Sequence, residues 1–439
     1  MFENLLGQDE IKSSLARSLE HDEIPPVYLF AGPPMSGKMT AALETARVMS
    51  CTRSAAWDCD CSDCIRHRSL VHPDLLIFGK RSHPEEILVA KDLVLRDTSS
   101  SSLFFFVRSI RKLLARFSPV LWEGEESKLS KAAPLVQSLE EELAALEADS
   151  TVDSTRAKLI DTLCEDSLSL EALAPEFPPV FMIRNMETWA QLKPLGRRKT
   201  VILENAERMQ DSARNAMLKI LEEPPESTRF ILLTTRRAAI MSTIVSRSRV
   251  LHFRPRDGDT TKLIVRRVFK NDPQDAPETL QEFFNAKRPY PSSTAKKHAE
   301  LLTGLILAHC DAAMNSTKPT EKGLNNPASG TSLALVEAAL DAKISIQECI
   351  DQIIVQTSSF GSKDKAFSGS FVQLLQAMLS CFAGLLVDSG ENPLLLALVD
   401  RWSCLVRDAS REATTYNRNP ELLLRVLVDS CIHILGEVT

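Results

Sequence analysis

Residues 27–40 read VYLFAGPPMSGKMT, a short apolar run that stops at a Gly/Pro turn and resumes as a helix. The run has strand length, and Lys38 to Val48 is rich in Ala, Leu and Glu, which favour a helix. Between them, Gly32-Pro33-Pro34-Met35-Ser36-Gly37-Lys38 matches G-x-x-x-x-G-K. Glycines in such a loop let backbone N–H groups turn inward around phosphates. The helix that follows offers its positive end, and the lysine reaches the outer phosphates. Gly32, Gly37 and Lys38 are therefore candidate nucleotide-binding residues. The next residue should be Ser or Thr, whose hydroxyl binds Mg²⁺. Here it is Met39, and Thr40 points about 100° further round the helix. A thioether cannot replace that hard oxygen ligand, so ATP is expected to bind weakly or not at all.

Working outward, further short apolar runs end near Phe78 and occupy 200–203 (TVIL), 230–235 (FILLTT) and 250–253 (VLHF). Helical stretches lie between them, one of them starting near Asp211 and stopped after Glu223 by Pro224-Pro225. Strands alternating with helices imply an α/β domain, a mostly parallel sheet with helices on both faces. After TVIL come Glu204 and Asn205. A phosphate-loop ATPase of this kind carries Asp-Glu there, the first supporting the metal and the second polarising water. Glu204 could still serve the metal, but an Asn amide cannot act as a base.

At roughly 150 residues per domain, 439 residues suggest about three domains. Residues 1–256 are expected to form the sheet domain, 257–315 a small helical domain, and 330–439 an all-α bundle, with a polar linker at 311–332. Residues 115–178 look like an acidic helical insertion projecting from the sheet domain; from 121 to 178 there are fourteen acids against four bases. Residues 229–270 carry eleven Lys/Arg against Asp257 and Asp259, a bias suited to phosphates. No run approaches the roughly 18 consecutive apolar residues of a membrane span, and no secretory signal is visible. A cytoplasmic protein with no membrane partner is expected.

Four of the ten cysteines, Cys51, Cys59, Cys61 and Cys64, crowd into fourteen residues. In a reducing compartment such a cluster points to metal rather than disulfides. Four thiolates close a tetrahedral Zn²⁺ site with no open position, which is structural. His67 is a conceivable substitute ligand.

SARNAMLKILEEPPESTRFILLTT at 212–235 resembles the LLK-LEEPP signature of bacterial DNA polymerase III clamp-loader subunits, and TIVSRSRVLHF at 243–253 resembles their SRC segment. The opening FENLLGQDEIKSSLARSL, the cysteine cluster followed by HPDL, and the late NRNPELLL are similar too. The likeness covers about 1–110, 180–255 and 330–439. Ser248 in place of the family's cysteine, the insertion, and the spacing C-x7-C-x-C-x2-C instead of C-x8-C-x2-C-x2-C depart from it. The resemblance implies an AAA+ phosphate-loop module, a small helical lid and a C-terminal collar. Met39 and Asn205 place the chain with the delta prime type, which has usually lost nucleotide chemistry, rather than with the gamma/tau motors. The alternative is a working gamma/tau-like ATPase. By the resemblance, Arg247 aligns with an arginine finger that reaches a neighbouring subunit's ATP, and Thr234 or Thr235 matches a sensor position. Implied partners are gamma/tau and delta subunits in a ring, with the sliding clamp and primed DNA reached through the assembly.

Overall fold

The structure is a computed structural model that describes residues 1–79, 83–148, 153–175, 177–272, 278–287, 290–315, 330–358, 365–388, 393–415 and 418–438. The chain divides into two units, Met1–Phe284 and Asn285–Thr439.

The first unit opens with α1 (Asp9–Glu20), β1 (Val27–Ala31), α2 (Lys38–Ser50), α3 (Ser62–Arg68), β2 (Leu75–Gly79), α4 (His83–Arg96) and α5 (Ser100–Leu114). A 3₁₀ turn at Ala115–Phe117 leads to α6 (Pro119–Trp122), α7 (Glu126–Leu129), α8 (Ala133–Ala148), α9 (Asp153–Leu173) and α10 (Val180–Gln191). Then come β3 (Lys199–Glu204), α11 (Asp211–Glu222), β4 (Thr228–Thr234), α12 (Ser242–Ser246), β5 (Arg249–His252), α13 (Gly258–Arg267) and α14 (Leu280–Ala286). The five strands form one parallel sheet in the order β2-β3-β4-β1-β5.

Why the strands read as unbroken apolar runs is visible in their two faces. Val27 and Leu29 of β1 join one core with Leu76, Val201, Leu203, Phe230 and Leu232. Tyr28 and Phe30 join the opposite core with Ile77, Ile202, Ile231 and Leu233. The period-two alternation of a strand serves both cores because helices cover both faces.

The acidic insertion does not project as expected. Its α8 and α9 pack on each other, yet Leu139, Leu143 and Leu146 of α8 and Ile160, Leu163 and Leu170 of α9 belong to the same core as the sheet. Lys91 of α4 pairs with Asp161 at 2.6 Å, and Lys112 of α5 pairs with Glu86. The acids lie outward while the leucine stripe at i, i+4 and i+7 turns inward. Leu163→Ala is therefore expected to cost about 2–5 kcal/mol and to lower the main unfolding transition of the sheet domain. A urea melt in which that transition does not move would show an independent appendage.

Nor do residues 257–315 form one body. Val265 and Phe269, with Phe283 and Phe284 of α14, close a small core on Val89 inside the first unit. α15 (Ser292–Asn315) belongs to the second unit, with α16 (Gly330–Asp341), α17 (Ile346–Ser358), α18 (Lys365–Asp388), α19 (Pro393–Thr415) and α20 (Pro420–Val438). Ala295, Ala299, Leu302 and Ile306 of α15 give it the face that this bundle buries. Gly304 lets α16 come close: a Cβ there would lie 2.2 Å from the Leu335 carbonyl oxygen. Of the expected linker, residues 311–315 and 330–332 are helical, and 316–329 lie outside the described residues. Among the described residues, Ser370–Val387 is long and apolar enough to cross a membrane by length and composition, although Gln373, Gln376 and Ser380 interrupt its apolar run. Its Phe371, Leu374, Leu375, Met378 and Phe382 are buried in the bundle core beside Trp402, whose indole N–H donates to the Cys431 carbonyl at 2.9 Å.

Candidate functional site

The phosphate loop runs from the end of β1 to the start of α2. Gly37 sits at φ +98°, where a Cβ would lie 2.8 Å from Arg256 Nη2, and Gly32 has no room for one beside the Phe253 carbonyl at 2.5 Å. Met35 is also left-handed at φ 58°. Arg256 Nη1 donates to the Met35 carbonyl at 2.8 Å, fixing this turn from the segment after β5. Burial pulls the Arg256 guanidinium down to about 10, still charged near neutrality. Lys38 is buried and donates to the carbonyls of Gly32 and Pro33, each at 2.6 Å. The turn that the phosphate-loop motif requires is thus formed.

The metal half of the site is not. Met39 is buried in the core with Phe30 and Leu43, and Thr40, one position on, is half-buried. Glu204 ends β3 opposite Gly79, both at the carboxyl edge of the sheet. Arg116, from the 3₁₀ turn after α5, donates through Nε and Nη2 to the Gly79 carbonyl at 2.7 and 2.5 Å. Burial lowers its pKa, while the negative charges of Glu204 and Glu171 work the other way. Asn205 is left-handed at φ 48° and its carbonyl accepts from Arg208 N–H. At the end of β4, the Thr235 hydroxyl donates to Glu207 Oε1 at 2.6 Å and its backbone N–H at 3.1 Å. Burial pushes the Glu207 carboxyl up, but these bonds outweigh it and hold the group below its usual range. A Mg²⁺-dependent hydrolytic centre does not fit these residues. A hard ligand is missing at Met39, a guanidinium lies near Glu204, and Thr235 is tied to Glu207. Sequence reasoning missed Arg116, Arg256 and Glu207, because nothing in their local spacing marks them.

Arg247 lies elsewhere. It caps the carboxyl end of α12 and precedes β5, whose Arg249 stands opposite Tyr28, four residues before Gly32. With about 3.3 Å of rise per residue, on the order of 13 Å of strand separates that level from the phosphate loop. In a parallel sheet, Arg247 is therefore at the amino edge, while Gly32, Glu204 and Thr235 are at the carboxyl edge. Its guanidinium donates to the Thr243 carbonyl at 3.0 Å and to Glu222 at 2.9 Å.

The four cysteines converge. Their Sγ atoms all lie within 4.8 Å of one another, and all four are buried. The sulfurs of Cys51 and Cys59 are 3.7 Å apart, and those of Cys51 and Cys61 are 3.9 Å apart. A tetrahedral Zn–S bond of about 2.3 Å puts sulfurs about 3.8 Å apart, so the donor set fits zinc. Hydrogen-bond donors face several of the sulfurs, although burial pushes the Cys64 thiol up. Cys51 Sγ accepts from the N–H groups of Arg53 and Ala55, Cys61 Sγ from that of Cys64, and Cys64 Sγ from Arg47 at 3.0 Å. Arg47 is itself buried, forked onto Glu44, and bonded to the carbonyls of Ala55 and Ala56. His67 is outside the cluster: its ring bonds Ser50 Oγ at 2.8 Å and stacks on His72 at 4.0 Å.

A parallel sheet with a phosphate loop at its carboxyl edge, a buried four-cysteine cluster and a helical bundle define an α/β nucleotide-loop protein of the AAA+ clamp-loader fold. A family model described as "DNA polymerase III, delta subunit" matches residues 7–129 and 158–257, just over half of the chain, and the chain belongs to that family. The break in the match falls on α8 and the start of α9. The chain is 22% identical over 249 residues to DNA polymerase III subunit delta' of Bacillus subtilis (strain 168), covering 56% of this chain and 48% of that one. It is 31% identical over 122 residues to Replication factor C small subunit 2 of Pyrobaculum islandicum, covering 26% and 38%. The chain thus spans about half or less of the length of these curated relatives. A DNA polymerase III gamma subunit-related protein from Thermotoga maritima is 19% identical, covering 61% of this chain and 89% of that one, with a TM-score of 0.26.

Proposed function

We propose that this chain is a delta prime-type stator of the DNA polymerase III clamp loader, the ring that loads a sliding clamp onto primed DNA in the cytoplasm. Its neighbours are gamma/tau motor subunits and delta, and it meets clamp and DNA within that assembly. The observation that carries the reading is the separation of Arg247 from the chain's own phosphate loop. An arginine at the amino edge cannot serve a nucleotide at the carboxyl edge, but it can serve a neighbour's. A guanidinium suits that task because it stays charged and forks onto phosphate oxygens. The buried Met39 supports the same division, since the pocket lacks its own metal ligand.

Two outcomes are expected. Pull-down of the tagged chain captures motor subunits, and the pure chain shows no sustained ATP turnover with or without primed DNA. Turnover at motor-like rates would return the gamma/tau reading. DNA contact by the isolated chain is expected to be weak, indifferent to sequence, and lost as salt rises, because exposed Arg236, Arg237, Arg254, Arg266 and Arg267 offer charge rather than base readout. Sequence-selective binding in a salt titration would contradict this. The four-cysteine cluster is proposed to hold one structural zinc, which would pin the end of α2 to the start of α3.

A further inference from the structure

We infer that Glu222, the first acid of the LEEPP segment, is the residue that positions Arg247 for its neighbour, an inference that rests on the finger role proposed above. Glu222 is the last residue of α11, and Pro224 and Pro225 prevent the helix from continuing. Its carboxylate is therefore presented from a helix end whose backbone cannot move along. Arg247 is the residue just past α12. Glu222 Oε1 takes Nη2 at 2.9 Å while the Thr243 carbonyl takes Nη1 at 3.0 Å. Both terminal nitrogens of the guanidinium are thus held by this chain. Among the described residues, each keeps a second N–H, and Nε–H is left as well, for an acceptor on another molecule. The Arg247 and Glu222 side chains are 36% and 53% exposed, so the pair is open to an approaching subunit.

A free arginine at such a position samples many rotamers, and each productive encounter must freeze them. A partner that holds the fork in place removes that loss in advance, at the cost of keeping one donor from the phosphate. The two segments that look family-like in the sequence, LEEPP and the SRS stretch, are joined here by one ion pair. The glutamate and the double proline would then have a single purpose, a rigidly mounted carboxylate under the finger.

The test compares Glu222→Ala, Glu222→Asp, Arg247→Ala and the double variant in loaders reconstituted with motor subunits, reading DNA-stimulated ATPase. At the one motor site that Arg247 serves, Glu222→Ala is expected to slow hydrolysis by about threefold to thirtyfold, the upper end being the full rotamer entropy of an arginine, and the loader's total turnover should fall by no more than it does with Arg247→Ala. The KM for ATP, ring assembly and the melting temperature of the chain should not change. Glu222→Asp, which keeps the carboxylate, should recover part of the rate. The double variant should be no slower than Arg247→Ala alone. Wild-type or faster turnover with Glu222→Ala, alongside a slow Arg247→Ala loader, overturns the positioning role and leaves the finger standing. Additive losses overturn it as well. No loss with Arg247→Ala overturns the finger and this inference together.

Discussion

Removing zinc by chelation, or replacing Cys64 with Ser, is expected to release residues 51–68 from protection against amide exchange while the five strands remain protected. Structural zinc sites in small peptides bind with about 10–16 kcal/mol, more than most whole domains have to spare. Here the effect should stay local. The four sulfurs join the end of α2, a loop and the first turn of α3, and none sits on a strand. Without the metal, Arg47 loses one of its buried partners, Cys64 Sγ, but keeps Glu44. The carbonyls of Arg68, Ser69 and Cys51 remain held by Arg108, Arg111 and Arg197, so α3 should loosen rather than detach. Metal analysis of carefully reduced protein should give about one zinc per chain. A zinc-free preparation with normal exchange at 51–68 would contradict the assignment.

Acid should act in the same direction. Protons compete with metal for thiolates, so zinc is released as pH falls. His67 adds a second term. Burial, helped by His72 and nearby arginines, pushes its pKa down to about 2, against about 6.5 in an unfolded chain. Between those values the unfolded state binds more protons. Stability from this group is therefore fully present above about pH 6.5 and declines as pH falls below it. Thermal melts at constant salt, with His67→Gln as control, should show the variant less sensitive to acid.

Much of the sheet could be read from the chain because its strands are short and buried on both sides. VYLFA and TVIL carry no polar residue that would hide the pattern, apart from Thr200, which is itself buried. The helix after Lys38 ran two residues past the expected Val48, and the one expected from Asp211 has Gln210 as its cap. The cysteine cluster was legible from density alone. What could not be read was which face meets which. The leucine stripe of α8 announces a helix, but only tertiary packing sends it into the sheet's core rather than into solvent. The same holds for α15, whose small residues suit a bundle that the sequence does not place beside it. At the site, Lys38 and Gly37 were visible because a motif fixes their spacing. Arg116, Arg256 and Glu222 were not, since each reaches its partner from a distant part of the chain.

The sharpest expected result separates Lys38 from Arg247. Lys38→Ala removes the cation of a loop whose metal-ligand position already holds a buried methionine, so the loader's ATPase should hardly change. Arg247→Ala should leave the chain folded, because its contacts are one partly exposed ion pair and one carbonyl, of the kind that contributes little to stability. At the one motor site it touches, hydrolysis should slow by about 10³–10⁵, the worth of such an arginine in other nucleotide hydrolases. Total turnover falls only partly if the other motor sites receive arginines from each other, and much further if they fire in sequence. DNA-stimulated ATPase of loaders reconstituted with each variant is the measurement that decides. A normal rate with Lys38→Ala and a depressed one with Arg247→Ala is the predicted pair. A large loss with Lys38→Ala and none with Arg247→Ala would mean that the chain burns its own nucleotide and is no stator.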